Sequence, residues 1–449
     1  MNPARKQTVA VIGAGGHVGF GLTLCIAEGG HQTYGVDINE SVVKSISAGQ
    51  VPFVEEGAEE MLARILQSDR LTMTTDISVV RECDVVVIVM GTPIDENLNP
   101  IMMPLIQLFN SLKPYLHRGQ LLVLRSTVSP GTTDNIRALV EKTTGLMVSE
   151  DIVLVFAPER VVQGKSLSEI PNLPQLIGAY DITGFRRAEE FFRTFVHNKC
   201  IRLTPVEAEL AKLMCNMARY TSFALANEFS LIADEYNSNV HRIFDACSYD
   251  YPRFRVPSPG PNVSGPCLFK DGFFLTERFP FPELILTGFK INESMPIHIF
   301  KKIKKQTGVH KVAILGLAFK AGSDDTRYSL SYKLKKLLAS AGYEVVAVDP
   351  NVKEHSDFSV LTGSDCVVLM TPHQEFRDLA QVNDFVKKET CLYVDLWGFW
   401  AETRERSQNG CFHGWEIRKS SPQREGKERV SVVLEVLERG QNEAPHYRK

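Results

Sequence analysis

The stretch PGPNVSGPCLFKDGFF, from Pro259 to Phe274, contains a cysteine in a setting that could make it reactive. Ser264 can cap a helix and Pro266 suits a first turn, so Cys267 would lie at the positive end of that helix. The field there favours the nucleophilic thiolate form of a thiol. The competing interpretation is a small buried thiol, the most common state of a free cysteine.

Two charged residues follow the cysteine at spacings that favour the reactive interpretation. Lys270 adds positive charge, and Asp271, at i+4, shares a helix face with Cys267 and could hold a water or relay a proton. A thiolate can capture an aldehyde as a thiohemiacetal, which can lose hydride to a nicotinamide cofactor and become a thioester. The pattern therefore indicates covalent oxidation in a chain that binds such a cofactor.

A dinucleotide site is indicated near the N-terminus by VAVIGAGGHVGFG, which follows a predicted strand and opens a helical pattern. Its glycines have the spacing G-x-x-G-x-x-G, ending at Gly19, whereas a strict G-x-G-x-x-G would need glycine in place of Val18. Such glycines let the backbone approach a pyrophosphate at the positive end of the helix. The residues expected to border the cofactor are Gly13, Gly15, Gly16, His17 and Val18.

The nature of the cofactor is indicated by Asp37, which ends the next predicted strand, TYGVD. A carboxylate at this separation from the glycines can accept hydrogen bonds from a ribose diol. Because it would repel the extra phosphate of NADP, we expect NAD. The alternative is that the glycine-rich turn serves only the packing of the helix on the strand and binds no cofactor.

Length and composition restrict the class of protein. A chain of 449 residues with 44% hydrophobic and 23% charged residues is an ordinary globular protein of two or three domains. Its net charge of -3 gives no basic field for nucleic acid, and no apolar run is long enough to span a bilayer. The nine scattered cysteines form no CxxC pair, so we expect neither a disulfide framework nor a metal site. Without a signal-peptide pattern, these features favour the reducing cytoplasm.

The order of apolar runs predicts an α/β fold with two Rossmann-like doubly wound domains joined by a long central helix. Predicted strands of the first domain are Thr8–Ile12, Gln32–Val36, Arg70–Thr74, Asp84–Met90, Gln120–Arg125 and Ile152–Phe156. A helical pattern without Gly or Pro then runs from Val206 to about Tyr236. Strands resume at Lys311–Leu315, Glu344–Asp349, Asp365–Met370 and Leu392–Leu396, and a charged tail with an amphipathic stretch at Val430–Leu437 follows Arg418.

The segment GPNVSGPCLFKD resembles the catalytic-cysteine motif of the UDP-glucose/GDP-mannose dehydrogenase family. Further similar segments occur in family order: RSTVSPGTT (Arg125–Thr133), APERVVQG (Ala157–Gly164), EAELAKLMCNMARYTSFALANE (Glu207–Glu228) and LGLAFKAGSDDTRYS (Leu315–Ser329). The resemblance implies an NAD-binding domain over 1–204, a central dimerisation and catalytic-cysteine region over 205–305, and a UDP-sugar-binding domain over 306–449.

The family oxidises C6 of a nucleotide sugar twice, from alcohol through aldehyde to carboxylate, with two NAD and one water. The resemblance implies that Cys267 is the nucleophile and that Lys212 and Asn216, at i and i+4, stabilise oxyanions. Implied partners in proton transfer are Asp271 and Thr127, which position the water, and Glu159, a general acid/base.

Binding residues also follow from the resemblance. The cofactor would in addition contact Thr92, Thr127, Lys270 and Arg327. The UDP-sugar would contact Glu159, Arg160, Val161, Lys212, Asn216, Arg253, Gly265, Phe269 and Lys320. Arg253 would reach the site of a neighbouring subunit, since we expect a homodimer or a larger homo-oligomer.

Several of these residues have ordinary alternatives. Lys212 could be solvated, Glu159 could simply pair with Arg160, and the charged group near Lys320 could be a surface cluster of little energetic weight. A hydroxyacid dehydrogenase of two-electron chemistry, or an NAD-binding scaffold without activity, would share the layout but need no cysteine.

The substrate is indicated by Gln163, which stands where glucose-type members carry a second acid. An amide can donate a hydrogen bond to an acetamido carbonyl that a carboxylate would repel. We therefore expect UDP-N-acetylmannosamine or UDP-N-acetylglucosamine, with UDP-glucose as the alternative because the ending LFKD is common to glucose-type members. Gln163 could also face solvent and select nothing.

Overall fold

The computed structural model describes residues 6–400 apart from Ser264, Cys267 and Glu389, and only the backbone of Phe269. The structure therefore does not describe Cys267, the expected nucleophile, Ser264, its expected helix cap, or the Phe269 side chain. The tail beyond residue 400, with the predicted amphipathic stretch Val430–Leu437, also lies outside the described residues. No helix within the described part of the chain is both long and apolar enough to cross a membrane.

The first sheet has eight strands in the order β3-β2-β1-β4-β5-β6-β7-β8. They are β1 (Thr8–Ile12), β2 (Gln32–Val36), β3 (Leu71–Thr74), β4 (Val85–Ile88), β5 (Leu121–Leu124), β6 (Val153–Phe156), β7 (Gln175–Ala179) and β8 (Cys200–Leu203). Its helices are α1 (His17–Glu28), α2 (Glu40–Ser47), α3 (Ala58–Gln67), α4 (Met103–Leu112), α5 (Thr132–Thr144), α6 (Ser166–Asn172) and α7 (Ile182–Phe192). The doubly wound fold class is confirmed.

The six predicted strands of this sheet form because both of their faces are covered by helices. All four residues of β4 and of β5 are buried, and separate apolar clusters pack on the two sides of the sheet. Neighbouring strands from β3 to β6 run parallel. Their carboxyl ends therefore lie at one edge, where open α/β sheets bind ligands.

Two strands were missed by the sequence prediction. Strand β7 starts with the polar Gln175 and contains Gly178, and it pairs antiparallel to β6. A Cβ on Gly178 would lie 2.7 Å from the Cα of Pro205, so the glycine leaves room for the next helix. Strand β8 is an edge strand with two exposed residues, and it gives little apolar signal.

The central region consists of α8 (Pro205–Glu235), α9 (Val240–Ser248), α10 (Leu268–Thr276) and α11 (Glu283–Lys304). The long helix α8 was predicted to within one residue at each end. Thr204 and Glu207 form its capping box, with the backbone N–H of Thr204 donating to Glu207 at 2.8 Å. The buried Glu209 accepts from the backbone of Gly131 at 2.6 Å and of Thr133 at 2.8 Å, which fixes α8 to the first domain.

The second sheet has four parallel strands in the order β10-β9-β11-β12. Its elements are β9 (Lys311–Leu315), α12 (Leu330–Ser340), β10 (Glu344–Val348), β11 (Cys366–Leu369), α13 (Leu379–Val386) and β12 (Leu392–Asp395). All four strands were predicted from their apolar runs.

Candidate active site

The glycine-rich turn after β1 has the geometry of an anion site. Gly13 has a φ of +90°, and a Cβ on Gly19 would lie 2.0 Å from the carbonyl oxygen of Gly13. In a strict G-x-G-x-x-G fingerprint the third glycine lets the helix pack closely on the turn, and that glycine would stand in place of Val18. Here Gly19 provides this close contact instead. Helix α1 begins at His17 with no side-chain cap, so its first amides are free to bind a phosphate.

Asp37 borders this turn, as the sequence predicted. Its carboxylate accepts from the backbone N–H of Gly15 at 2.8 Å and from that of Asn39 at 3.0 Å. These bonds hold the side chain beside the turn, and it remains half-buried, with a face open to solvent. The arrangement fits the ribose diol of NAD, and the residues present fit the cofactor.

Helix α10 of the central region contacts the first domain through Lys270. The Lys270 amino group donates to the backbone carbonyl of Thr92 at 2.5 Å and to the Thr92 hydroxyl at 3.2 Å. The same hydroxyl donates to the carbonyl of Thr127 at 2.6 Å. The structure therefore brings together three residues that the sequence assigned to the cofactor site.

Asp271 is a fully buried carboxylate with one unsatisfied oxygen in the described part of the chain. It is 0% exposed, and its Oδ2 accepts from Nδ2 of Asn216 at 2.7 Å, while its Oδ1 has no hydrogen-bond partner among the described residues. Burial raises the pKa of the Asp271 carboxyl, and Lys212, Lys270 and the bond from Asn216 oppose that rise. A buried, half-satisfied carboxylate beside two cations suits a group that holds water or a proton.

The loop before position 267 is fixed to the C-terminal domain. The side-chain amide of Asn262 donates to the Ala318 carbonyl at 3.0 Å and to the Thr371 hydroxyl at 2.9 Å, and its oxygen accepts from the backbone of Leu330 at 2.8 Å. Gly265 has a φ of +95°, and a Cβ there would lie 2.4 Å from the Phe319 ring. Helix α10 is described from Leu268 to Thr276, whereas a cap at Ser264 would start it at Gly265, whose φ of +95° is not helical. The predicted cap itself lies outside the described residues.

Glu159 lies at the carboxyl end of β6 and pairs with Arg125, not with Arg160. The Nε and Nη2 atoms of Arg125 both donate to Oε2 of Glu159, the first at 3.1 Å. The Arg160 side chain instead donates to the Pro174 carbonyl, and only its backbone N–H reaches Glu159, at 2.8 Å. Val161 packs against the apolar residues that cover one face of the first sheet.

The charged group of the C-terminal domain faces the first domain and is not a simple surface cluster. Arg327 donates twice to the buried Asp325, at 2.9 and 2.7 Å, and Nε2 of Gln163 donates to Asp325 at 3.4 Å. Asp324 accepts from the backbone of Val54 at 3.4 Å. Burial lowers the pKa of the Lys320 amino group, and nearby Lys165 lowers it further.

Arg253 contacts none of the other described binding candidates. It is exposed, its guanidinium lies 4.9 Å from the Tyr251 ring centroid, and no hydrogen bond joins it to another described residue.

Family models match three consecutive segments of the chain. The NAD-binding domain of the UDP-glucose/GDP-mannose dehydrogenase family matches residues 7–196, its central domain 206–293 and its UDP-binding domain 313–402. The chain belongs to this family. As a member it is an NAD-dependent nucleotide-sugar dehydrogenase, an oxidoreductase.

Several family members that are similar to this chain have names that include an N-acetylated sugar. The UDP-N-acetyl-D-mannosamine dehydrogenase of Pyrococcus horikoshii is 32% identical over 83% of this chain and 90% of its own. A solved structure of UDP-D-ManNAc dehydrogenase from that organism has a TM-score of 0.79 and 30% identity, covering 86% of this chain and 94% of its own. An NDP-N-acetyl-D-galactosaminuronic acid dehydrogenase of Ralstonia solanacearum is 28% identical over 89% of this chain and 97% of its own.

The second Rossmann-like turn of this dehydrogenase is closed by its own side chains. Asp349, the counterpart of Asp37 at the end of β10, is 0% exposed and accepts from the backbone of Leu317 at 2.7 Å and of Ala318 at 2.8 Å. Although burial acts to raise the pKa of Asp349, the hydrogen bond and charge of the buried His373 and these amides lower it overall. The carboxylate is therefore occupied, and a ribose diol cannot reach it.

Sequence reasoning missed three residues that position the site of the dehydrogenase. Asn262 fixes the cysteine loop, Arg125 holds Glu159, and Gln175 at the start of β7 accepts from Arg125 at 3.0 Å. The position of Asn262 inside a Pro- and Gly-rich loop was an available signal. Gln175 had none, because its strand was not recognised.

Proposed function

We propose that the protein oxidises C6 of a UDP-N-acetylhexosamine to the uronic acid in two NAD-dependent steps, through a thiohemiacetal and a thioester on Cys267. The observation that carries this proposal is Asp271, buried and half-satisfied on the first turn of α10, one residue after Lys270. A hydroxyacid dehydrogenase of two-electron chemistry has no use for such a carboxylate beside a cysteine.

The first oxidation requires removal of the alcohol proton. A water held by Asp271 and Thr127 accepts it, and Lys212 and the Asn216 amide stabilise the developing alkoxide. NAD, when bound, accepts the hydride at each oxidation. The Cys267 thiolate then attacks the aldehyde, and the same water position serves hydrolysis of the thioester after the second oxidation.

The acetamido substrate is supported by the names of similar enzymes and by Gln163. UDP-N-acetylmannosamine comes first because it stands in the names of the similar enzyme and of the similar solved structure from Pyrococcus horikoshii. The amide of Gln163 has two N–H groups, of which one suffices for Asp325, so the other can reach an acetamido carbonyl. UDP-glucose remains the second candidate because Lys270 and Asp271 reproduce the glucose-type ending LFKD.

The proposal includes a homodimer formed through the central helices. Large apolar side chains are exposed to solvent along α8 and after α9 in the single chain. Such an exposed apolar surface is typical of a protein–protein interface. The exposed side chains are Met214, Leu225, Ile232 and Tyr236, with Tyr249 and Tyr251 beside Arg253. A partner covering this surface would bring Arg253 into another subunit's site. The described cysteines are free thiols, which fits a reducing cytoplasm.

The test is NADH formation across a panel of nucleotide sugars. We expect a UDP-N-acetylhexosamine to exceed UDP-glucose at least about tenfold in kcat/KM, equivalent to about 1.4 kcal/mol. A preference for UDP-glucose would contradict the substrate assignment alone. Activity on simple hydroxyacids, with none on any nucleotide sugar, would contradict the whole proposal.

A further inference from the structure

The carboxyl edge of the second sheet has a crevice like the one beside the glycine-rich turn of the first sheet. Strand β9 lies between β10 and β11, so the strand order reverses there, and such a switch point is where open α/β sheets bind ligands. Gly316 after β9 has a φ of +90°, the same value as Gly13 after β1. A Cβ on Gly316 would lie 2.4 Å from the Cβ of Thr371, which follows β11. The two sheets therefore form the same type of crevice.

In the second crevice the place of a ligand is filled by Asn262 from the cysteine loop, residues 259–265. Its side-chain oxygen accepts from the backbone N–H of Leu330, the first residue of α12, at 2.8 Å. Its nitrogen donates to the Ala318 carbonyl at 3.0 Å and lies within hydrogen-bond distance of three hydroxyls. These belong to Ser329 at 3.0 Å, Ser331 at 3.3 Å and Thr371 at 2.9 Å. A neutral amide thus lies where a helix N-terminus would otherwise bind an anion.

The cysteine loop is also anchored at its start. Residues 259–263 are all buried, and the backbone N–H of Gly260 donates to Oδ1 of Asn227 on α8 at 2.9 Å. A Cβ on Gly260 would lie 2.2 Å from the Trp397 ring, so the glycine lets that ring pack on the loop. Because a buried loop must pair its backbone polar groups, these contacts restrict its path. The course of the chain toward Cys267 is therefore set by α8 and the C-terminal domain.

The segment that follows Cys267 is held by different partners. Lys270 donates to Thr92 of the first domain, and Asp271 accepts from Asn216 of α8. In the sequence Cys267 stands between this segment and the loop that is fixed to the C-terminal domain. Because Asn262 acts on the loop alone, weakening its bonds should displace the thiol more than Lys270 or Asp271.

We infer that the switch point of the second sheet is a clamp for the cysteine loop, and that Asn262 is the positioning residue that holds Cys267 against the sugar for the second oxidation. This inference rests on the proposed function. In the second oxidation the Cys267 sulfur adds to the aldehyde carbon, a hydride passes from that carbon to NAD, and water then displaces the thiol to leave the carboxylate. The first oxidation, from alcohol to aldehyde, forms no bond to sulfur and should not need the clamp.

The test measures the release of free aldehyde, which a general loss of stability would not cause. The assay contains the UDP-sugar that the unmodified enzyme oxidises, excess NAD, and semicarbazide to trap aldehyde. We expect two NADH per sugar and no trapped aldehyde from the unmodified enzyme. For Asn262→Ala we expect about half or more of the product as the semicarbazone and an NADH yield that falls toward one per sugar. The rate of the first hydride transfer should stay within about threefold of the unmodified rate.

Variants of Thr371 make a milder change to the same clamp. Thr371→Val removes one partner of the Asn262 amide, whereas Thr371→Ser keeps the hydroxyl, so the valine variant should release aldehyde and the serine variant should not. Two NADH per sugar without trapped aldehyde from Asn262→Ala, or from Thr371→Val if the first variant does not fold, would overturn the inference.

Val382→Ala is the control for lost stability. Val382 is buried on α13, which packs on the face of the second sheet opposite to α12, so its truncation weakens the domain without removing a bond to the loop. We expect no trapped aldehyde from this variant, and as much aldehyde as from Asn262→Ala would overturn the inference. An unmodified enzyme that forms one NADH per sugar, or oxidises no UDP-sugar, would instead overturn the proposed function.

Discussion

Asn216 on α8 and Asp271 on α10 are joined by a hydrogen bond of 2.7 Å to Oδ2 of the buried carboxylate, whose Oδ1 has no partner among the described residues. The two residues are 55 positions apart in the chain, and the contact places the long helix against the start of the cysteine-bearing segment. Lys212, one turn before Asn216, is close enough to oppose the rise in the pKa of Asp271 that burial causes. The residues proposed to stabilise the oxyanion and the residue proposed to hold the water therefore form one cluster.

Asp271→Asn should stabilise the fold while disabling the reaction. Because burial raises the pKa of Asp271, the folded state binds a proton more tightly than the unfolded state, and the carboxyl favours folding only at low pH. That contribution is lost as the pH rises above about 3.9, the ordinary value of an aspartic acid, and through the folded-state pKa. The neutral amide should therefore raise the thermal unfolding midpoint at pH 8 more than at pH 4. An equal change at both pH values would contradict the assignment.

Much of the fold could be predicted because burial on both sides of a parallel sheet produces continuous apolar runs, as in β4 and β5. Strands β7 and β8 were not predicted because this signal is interrupted in both. Strand β7 begins with a polar residue and contains a glycine, and β8 is an exposed edge strand. The residue types near Cys267, namely Lys270 and Asp271, were sufficient to predict covalent oxidation as the chemistry. The pairing of Glu159 with Arg125 could not be predicted, since it depends on where two different strands end.

The cofactor preference should depend on Asp37. Asp37→Ala removes both the acceptor for the ribose diol and the charge that repels a 2′-phosphate, so the ratio of kcat/KM for NAD over NADP should fall by at least about tenfold. Asp76→Ala is the matched control, because Asp76 follows the neighbouring strand β3 and caps only a local turn through Ser78 at 2.8 Å. Equal efficiency with NAD and NADP in the unmodified enzyme would show that Asp37 does not select the cofactor.

Gln163 should affect the choice of sugar through its charge. Gln163→Glu would place a carboxylate near Asp325, which now accepts from the amide at 3.4 Å, and would also repel an acetamido carbonyl. We expect the preference for a UDP-N-acetylhexosamine over UDP-glucose to fall by at least about tenfold. Gln163→Met removes the hydrogen bonds without adding charge. Its preference ratio should therefore lie between those of the unmodified enzyme and Gln163→Glu. An unchanged ratio in both variants would mean that Gln163 does not contribute to selectivity.

Gly265 should be required for the position of the cysteine loop. Gly265→Ala combines a left-handed φ of +95° with a Cβ only 2.4 Å from the Phe319 ring, so the loop must shift. Gly342→Ala is the control for backbone strain alone, because its φ is +88° and nothing lies within 4 Å of the added Cβ. We expect turnover to fall at least about tenfold in the first variant only, with NAD binding retained in both. Similar turnover in the two variants would show that the contact with Phe319 is unimportant.

The covalent role of Cys267 should be visible in Cys267→Ser. A serine hydroxyl near neutral pH is a far weaker nucleophile than a thiolate, so turnover should fall by several orders of magnitude while the UDP-sugar still binds. Calorimetry of sugar binding together with the rate of NADH formation separates these effects. Near-normal turnover in the serine variant would rule out the thioester route.

The central claim is a four-electron oxidation at one site, and the amount of NADH formed per sugar consumed tests it most directly. With limiting UDP-N-acetylmannosamine and excess NAD, the unmodified enzyme should release two NADH for each sugar and yield the uronic acid without free aldehyde. A yield of one NADH per sugar, with an aldehyde or ketone as the final product, would contradict the claim.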